Sequence, residues 1–344
     1  MTQALPHGQI QFAVLDPMLY GTARALDYLG MRGQDMIDRI GEGIIAYGLS
    51  RGYFERSNDP HQFIANVGKF FIENGYLSDA RIDQNGDTLD IMMRNWRYLP
   101  LMKKLREHDS YLLTCPFCIA NNAVRKSMGL SLGERLSETV TRDGVYTIKI
   151  KMIHATENTQ STVVPTRPAD FSQTMIGNQM DESLGLPAFE SVAYGLACGF
   201  DYLGAQAQLI LDNVGKATLG FLREEASLTL PNDLESALEA LATFFADHGL
   251  ADKIQVSLSK DKVDVEFKNS RYLPVLEKLL QEERKLFSCP FTLGARAIIR
   301  DHGLQVGEVK WRADITDAAA TMSIRDSKEQ QFDEDATGRL MDQV

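Results

Sequence analysis

Tyr20-Gly21 and Asp27-Tyr28-Leu29-Gly30 return as Tyr194-Gly195 and Asp201-Tyr202-Leu203-Gly204. Asn95 with Arg97-Tyr98-Leu99-Pro100 returns as Asn269 with Arg271-Tyr272-Leu273-Pro274, and Cys115-Pro116-Phe117 returns as Cys289-Pro290-Phe291. Gly129-Leu130 with Gly133-Glu134 returns as Gly303-Leu304 with Gly307-Glu308. Every pair is separated by the 174 positions that part Tyr20 from Tyr194, without a gap. About 35 of roughly 131 aligned positions are identical, several-fold above chance for average residue usage. The chain is therefore two copies of one domain, and the copies serve as a small internal alignment.

Working outward, the first repeat is read as 11–153, a linker as 154–187, the second repeat as 188–325 and an acidic, disordered tail as 326–344. A chain of 344 residues fits two domains, each long enough to bury its own core. Composition is that of an ordinary globular protein, with 44% hydrophobic and 24% charged residues. A net charge of −11 speaks against nucleic acid or an anionic membrane as partner, since both need a basic face. No apolar run is long enough to span a membrane, and residues 1–10 lack the pattern of a secretory signal. Four cysteines do not make a disulfide framework in so long a chain, so a reducing, cytoplasmic location is expected.

Each repeat reads in the same order. Residues 16–49 carry helical apolar spacing broken at Gly30 and Gly33, which predicts two helices or one kinked helix. Asn58-Asp59-Pro60 predicts a helix start with Asp59 as N-cap, and Asn74-Gly75 its stop; Asn232-Asp233 and His248-Gly249 are the counterparts. The period then changes to two. Ala80–Asp83 and Thr88–Asn95 predict a hairpin around Asn85-Gly86, as do Ile254–Ser257 and Lys262–Asn269. A helix from Tyr98-Leu99-Pro100 to about Glu107 and another from Cys115 to Gly129 follow. Strands Glu134–Thr141 and Val145–Ile153 close the unit. The expected fold class is α+β: two tandem copies of a domain with an antiparallel sheet packed against helices, forming a pseudo-dimer.

Several shared residues have both a structural and a functional reading. Cys115-Pro116-Phe117-Cys118 is a C-x-x-C whose first thiol sits at a helix N-terminus, where a thiolate is stabilised. The second copy has Thr292 in place of Cys118, so paired-cysteine chemistry belongs to the first copy only. The alternatives are a half-buried structural cysteine, a reactive or modified thiol, and a metal ligand. Arg97-Tyr98 and Arg271-Tyr272 can anchor a ligand carboxylate and stack on it, or can start a helix with the arginine paired to Asp90 or Asp264. Asp27 and Asp201 are ligand-site acids, partners of Arg97, or structural acids. Phe117, Phe70 and Phe71 with their twins are core or pocket wall. None of the six histidines recurs at the 174 offset, so no histidine mechanism is common to both copies. No nucleophile elbow, Walker loop, dinucleotide fingerprint or zinc-protease motif is present.

The order of elements over Tyr20–Gly48, Gly86–Asn95, Cys115–Gly129 and Glu134–Ile150 resembles the 4-vinyl-reductase-type, or hydrocarbon-binding, domain, a relative of trafficking-complex subunits. The resemblance implies binding of small apolar, aromatic or tetrapyrrole-related molecules, often in a sensor role, and a tendency to dimerise. Some members resemble zinc binders with ligands near the last hairpin. Val140–Ile148 and Asp314–Met322 contain neither cysteine nor histidine, so no such metal site is expected here. The leading functional expectation is a non-enzymatic binding or sensor protein holding a hydrophobic or tetrapyrrole-like ligand. Its ligand-binding residues are read as Tyr20, Tyr28, Arg97, Tyr98, Cys115 and Phe117, with Tyr194, Tyr202, Arg271, Tyr272, Cys289 and Phe291. Arg97 or Arg271 would meet a propionate, and a cysteine would ligate or tether the ring. A protein–protein scaffold or assembly factor is the alternative, and a reductase-type enzyme the third reading.

Overall fold

The structure is a computed structural model that describes residues 8–27, 29, 31–85, 87–108, 110, 114–141, 143–154, 183–204, 207–284 and 289–326. The bulk of the expected linker and tail, residues 155–182 and 327–344, lies outside these. In the first half come β1 (Gln9–Gln11), α1 (Phe12–Leu26), α2 (Met31–Ser50), α3 (Pro60–Glu73), β2 (Asp79–Asn85) and β3 (Thr88–Arg94). They are followed by α4 (Leu99–Glu107), α5 (Pro116–Ser127), β4 (Leu130–Val140) and β5 (Tyr146–His154). The second half repeats the order with β6 (Ser183–Gly185), α6 (Leu186–Tyr202), α7 (Ala207–Glu225), α8 (Leu234–Asp247), β7 (Lys253–Leu258) and β8 (Lys262–Lys268). It ends with α9 (Leu273–Gln281), α10 (Pro290–Asp301), β9 (Leu304–Ala313) and β10 (Ala318–Asp326). The stretch read as linker thus already holds β6 and the start of α6.

Each half builds one antiparallel four-stranded sheet, in the orders β2-β3-β5-β4 and β7-β8-β10-β9. The fold is α+β. On β3, Leu89, Ile91 and Met93 alternate into the interior, and Ala318, Ala320 and Met322 do the same on β10. The local signals behave as their chemistry requires. Asp59 caps α3 by accepting from the His61 N–H at 3.0 Å, and Asp233 caps α8 by accepting from the Ser236 N–H at 2.9 Å. Gly75 and Gly249 leave those helices with φ of +77° and +90°. The recurring Asn95 and Asn269 take φ of +46° and +50° after β3 and β8, a conformation asparagine tolerates better than most residues. Between β2 and β3 the pairing runs to Asn85↔Thr88, tighter than the four-residue connection expected; residue 86 lies outside the described residues.

The halves are tied by reciprocal contacts. α2 packs along α6, and α1 along α7. A Cβ on Gly195 would stand 2.6 Å from the Ile40 carbonyl oxygen, and one on Gly21 would stand 2.6 Å from the Val214 carbonyl oxygen. Both glycines, and both carbonyls, are 174 positions apart. The Thr218 hydroxyl donates to the Pro17 carbonyl at 3.1 Å, clamping α7 to α1. A two-stranded sheet joins β1 to β6 around Ile10↔Leu184. Beside it the Gln11 N–H donates to the His248 carbonyl at 3.2 Å, and the Gly185 N–H donates to the Asn74 carbonyl at 3.0 Å.

These contacts give glycine a steric role testable at one atom. Gly195→Ala should cost about 1–3 kcal/mol, because backbone and not a flexible side chain blocks the added methyl. Gly220→Ala, on α7 with nothing within 4 Å of the added Cβ, should instead stabilise by about 0.5–1 kcal/mol. Urea unfolding of both variants checks this; equal shifts would remove the close crossing as an explanation for Tyr-Gly recurring.

Candidate functional site

A cavity of about 450 Å³ lies in the first half between α3, the β2–β3 side of the sheet and α5. Its cause is in the pattern of α3. Phe63, Val67, Phe70 and Phe71 turn into the core, while Pro60, Ile64, Gly68 and Ile72 repeat every four residues along the cavity side. Gly68 leaves a gap in that stripe: a Cβ there would meet only the Phe117 ring, at 3.8 Å. Ala80 and Ile82 on β2 and Leu89 on β3 supply the facing wall. In the second half the same stripe reads Leu234, Leu238, Ala242 and Ala246, and α8 packs along β7 where α3 touches β2 at few positions.

The one charged group at the closed side is Arg125, on α5 with Phe117. It is 2% exposed, and neither Nη1 nor Nη2 has a hydrogen-bond partner among the described residues. Burial lowers its pKa to about 10, with only the Cys118 thiol acting the other way. A buried unpaired charge is costly. The contrast with Arg296 is instructive: equally buried on α10, it donates through Nη2 to Asp212 at 2.9 Å. At the exposed rim Lys69 is already paired with Glu73 at 3.6 Å, and His61 stands beside them.

Of the residues expected to bind ligand, only Phe117 reaches this cavity. Tyr98 and Cys115 belong to a separate buried cluster with Trp96 and Tyr76, flanked by Arg97. The Tyr98 hydroxyl bonds the Thr114 hydroxyl at 2.9 Å and accepts from the Thr114 N–H at 3.0 Å. Its ring lies 5.4 Å from that of Trp96. Arg97 covers the Phe12 ring at 4.6 Å and faces Asp16, not Asp90, which pairs with Lys149 at 3.5 Å. Arg271 pairs with Asp252 and not with Asp264, which Lys262 holds at 2.7 Å. Tyr272 is buried 6.2 Å from the Trp311 ring, and Phe291 stands edge-on to Phe267 at 5.7 Å.

Tyr20 and Tyr194 lie where the halves meet. The Tyr20 ring is 5.1 Å from Phe221, and the Tyr194 ring 5.0 Å from Tyr47, again a pair related by the repeat. Tyr202 is 47% exposed beneath Arg39, and Tyr28 lies outside the described residues. Asp27 accepts from the Ser110 hydroxyl at 2.7 Å and Asp201 pairs with Arg284 at 3.3 Å, so neither reaches Arg97.

The thiolate reading of Cys115 does not survive its surroundings. Cys115 does cap α5, accepting from the Cys118 N–H at 3.4 Å. Yet it is fully buried, and burial raises its thiol well above the usual range. Cys289 and Cys198 are each pushed up to about 11 by the same cause. Desolvation outweighs the helix terminus. Cys115 is enclosed by the Trp96–Tyr98 cluster and Arg97 lies on Phe12, so neither is among the residues lining the cavity beneath α3.

Two acids escaped the sequence reading. Asp16 and Glu190 are a repeat pair that falls just before the aligned block begins. Glu190 is buried and accepts from the Tyr53 hydroxyl at 2.5 Å and the Tyr47 hydroxyl at 3.1 Å; burial raises its pKa. Asp16 keeps part of its surface exposed, yet burial of its carboxyl raises the pKa to about 7 against the pull of Arg97. An acid within an apolar helical run was the available signal. Because the native carboxyl binds its proton more tightly than the unfolded one, Asp16 makes stability fall as pH rises from about 4 to about 7, by at most about 1.4 kcal/mol per pH unit. The stability gained by Asp16→Asn over the parent should therefore grow across that window in urea titrations. A difference that stays constant with pH would contradict the raised carboxyl.

Fold and site together define a tandem α+β chain with a lined apolar cavity in its first half. The family model described as "Putative rubredoxin C-terminal domain" matches residues 193–309, within the second half. The matched span holds two cysteines, Cys198 and Cys289. Among the described residues no group of three or more His, Cys, Asp or Glu side chains is placed to hold a metal ion. No curated protein matches the chain. A solved structure from work on "Modulating Heme Redox Potential Through Protein-Induced Porphyrin Distortion" is 15% identical over 40% of this chain and 75% of that chain, with a TM-score of 0.26. Among the described residues no helix is long and apolar enough to cross a membrane.

Proposed function

We propose that the chain is a binding protein that holds a small apolar molecule in the cavity beneath α3. The observation that carries this reading is the gap itself. Gly68 and the wide spacing of α3 from β2 leave about 450 Å³ unfilled, within the roughly 300–1,000 Å³ of small-molecule sites. A packed core tolerates few voids larger than a water molecule, and in the second half α8 packs more closely along β7 than α3 does along β2. The contacts exchanged between halves support an internal dimer in which one copy binds and the other braces it. A long, thin or flat apolar body suits the slot between a helix and a sheet better than a compact one.

Native mass spectrometry of the purified chain reads any co-purifying ligand directly, and Nile red, a neutral apolar dye, reads the empty cavity. Nile red should saturate at one molecule per chain. Gly68→Leu, which places its side chain in the gap without touching the core face of α3, should weaken dye binding about tenfold or more. Undiminished binding in that variant would place the dye elsewhere and end the cavity reading. A porphyrin titration belongs in the same experiment: uptake with a shifted absorption band would revive the tetrapyrrole ligand.

A further inference from the structure

We infer that the molecule taken by this cavity is an apolar carboxylate, held through its carboxyl group by Arg125. The inference rests on the cavity reading above and deepens it. Arg125 is buried, lines the cavity, and leaves both terminal nitrogens without a partner among the described residues. The other buried arginine among the described residues has an acid to pair with. Arg296 is tied to Asp212 on α7, and the corresponding position in the first half, Asn122, donates to Asp38 on α2 at 3.3 Å. Lys126 also pairs with Asp38. Asp38 is therefore held by Asn122 and Lys126, and Arg125 lines the cavity instead.

The chemistry of the partner follows from the donor set. A guanidinium presents two parallel N–H groups that match the two oxygens of a carboxylate. A phosphate monoester carries about two charges at neutral pH, and one arginine would leave part of that charge unneutralised against Ile82, Leu89 and Phe117. Lys69 is at the exposed rim, 3.6 Å from Glu73, so it is not a second buried cation beside Arg125. The rest of the lining is apolar along α3 and β2, which suits a hydrocarbon or aromatic body extending from the carboxyl group toward the rim. At the position equivalent to Arg125 the second half carries Ile299, fully buried, so the recognition belongs to one half and predicts one ligand per chain.

The test compares two probes of equal chain length, dodecanoate and 1-dodecanol, as displacers of Nile red from the full chain below the micellar concentration. Dodecanoate should displace the dye about tenfold better than the alcohol. Arg125→Met should erase that preference while keeping Nile red and dodecanol binding, and should raise the urea midpoint, since an unpaired buried charge is removed. Arg125→Gln serves where the methionine variant does not fold, and the comparison of probes on the unaltered protein needs no variant at all. Equal displacement by the two probes, or a carboxylate preference that survives loss of Arg125, would overturn the inference and leave the cavity reading intact. Dye binding unchanged by Gly68→Leu would instead remove the cavity reading itself.

Discussion

The close crossing of helices at Gly21 and Gly195 is the constraint on which the remaining structure depends. Where a helix backbone meets another backbone with no room for a Cβ, the two helices cannot slide or rotate independently. α1 is thereby fixed on α7 and α6 on α2. Each half contributes its first helix to the other half, so neither sheet-bearing unit is complete by itself. The tyrosines preceding those glycines then pack on Phe221 and Tyr47, and Thr218 reaches the Pro17 carbonyl. A repeated Tyr-Gly dipeptide is in this sense a joint, and a ligand site at Tyr20 or Tyr194 would have to compete with it.

Much of the fold was legible because its signals are local and chemical. Asp59 and Asp233 announce helices by offering an acceptor to free N–H groups, and the change of period after Gly75 announces a hairpin; each acts within a few residues of itself. The shared Asn95 and Asn269 mark left-handed turns for the same kind of reason. The site was legible only in part. Comparing the two halves keeps what both retain, and what both retain is mostly what holds the fold: Tyr98 bonded to Thr114, Arg271 paired with Asp252, Phe291 set against Phe267. Arg125 faces Ile299 in that comparison, so a comparison that keeps shared residues passes it over. Asp16 and Glu190 stood outside the aligned block. The cavity depends on how far α3 stands from β2, a long-range packing result that no local pattern carries.

The asymmetry between halves has a physical logic. Two copies that brace one another need only one of them to give up packing for a binding function. The second half is the more closely packed here: α8 lies along β7 and Arg296 is paired with Asp212. The first half has glycine at the gap and, among the described residues, no hydrogen-bond partner for the terminal nitrogens of Arg125. Unsatisfied features are tolerated where the rest of the fold compensates, and the shared helix joint lets the well-packed half hold the other in shape.

That arrangement also bears on why cysteine chemistry recedes. A thiol becomes reactive where it is partly exposed and near positive charge, and Cys115 has neither condition in full: it lies beneath Trp96 and Tyr98, and Arg97 is turned to Phe12 and Asp16. The helix N-terminus it caps offers about half a unit charge within one turn, too little to offset complete burial. Arg125, on the helix that Cys115 caps, lines the apolar cavity instead, with the half-buried Cys118 thiol close enough to interact with its charge. A buried guanidinium set in an apolar wall is suited to pairing with an anion, because its fork of N–H donors matches two anionic oxygens.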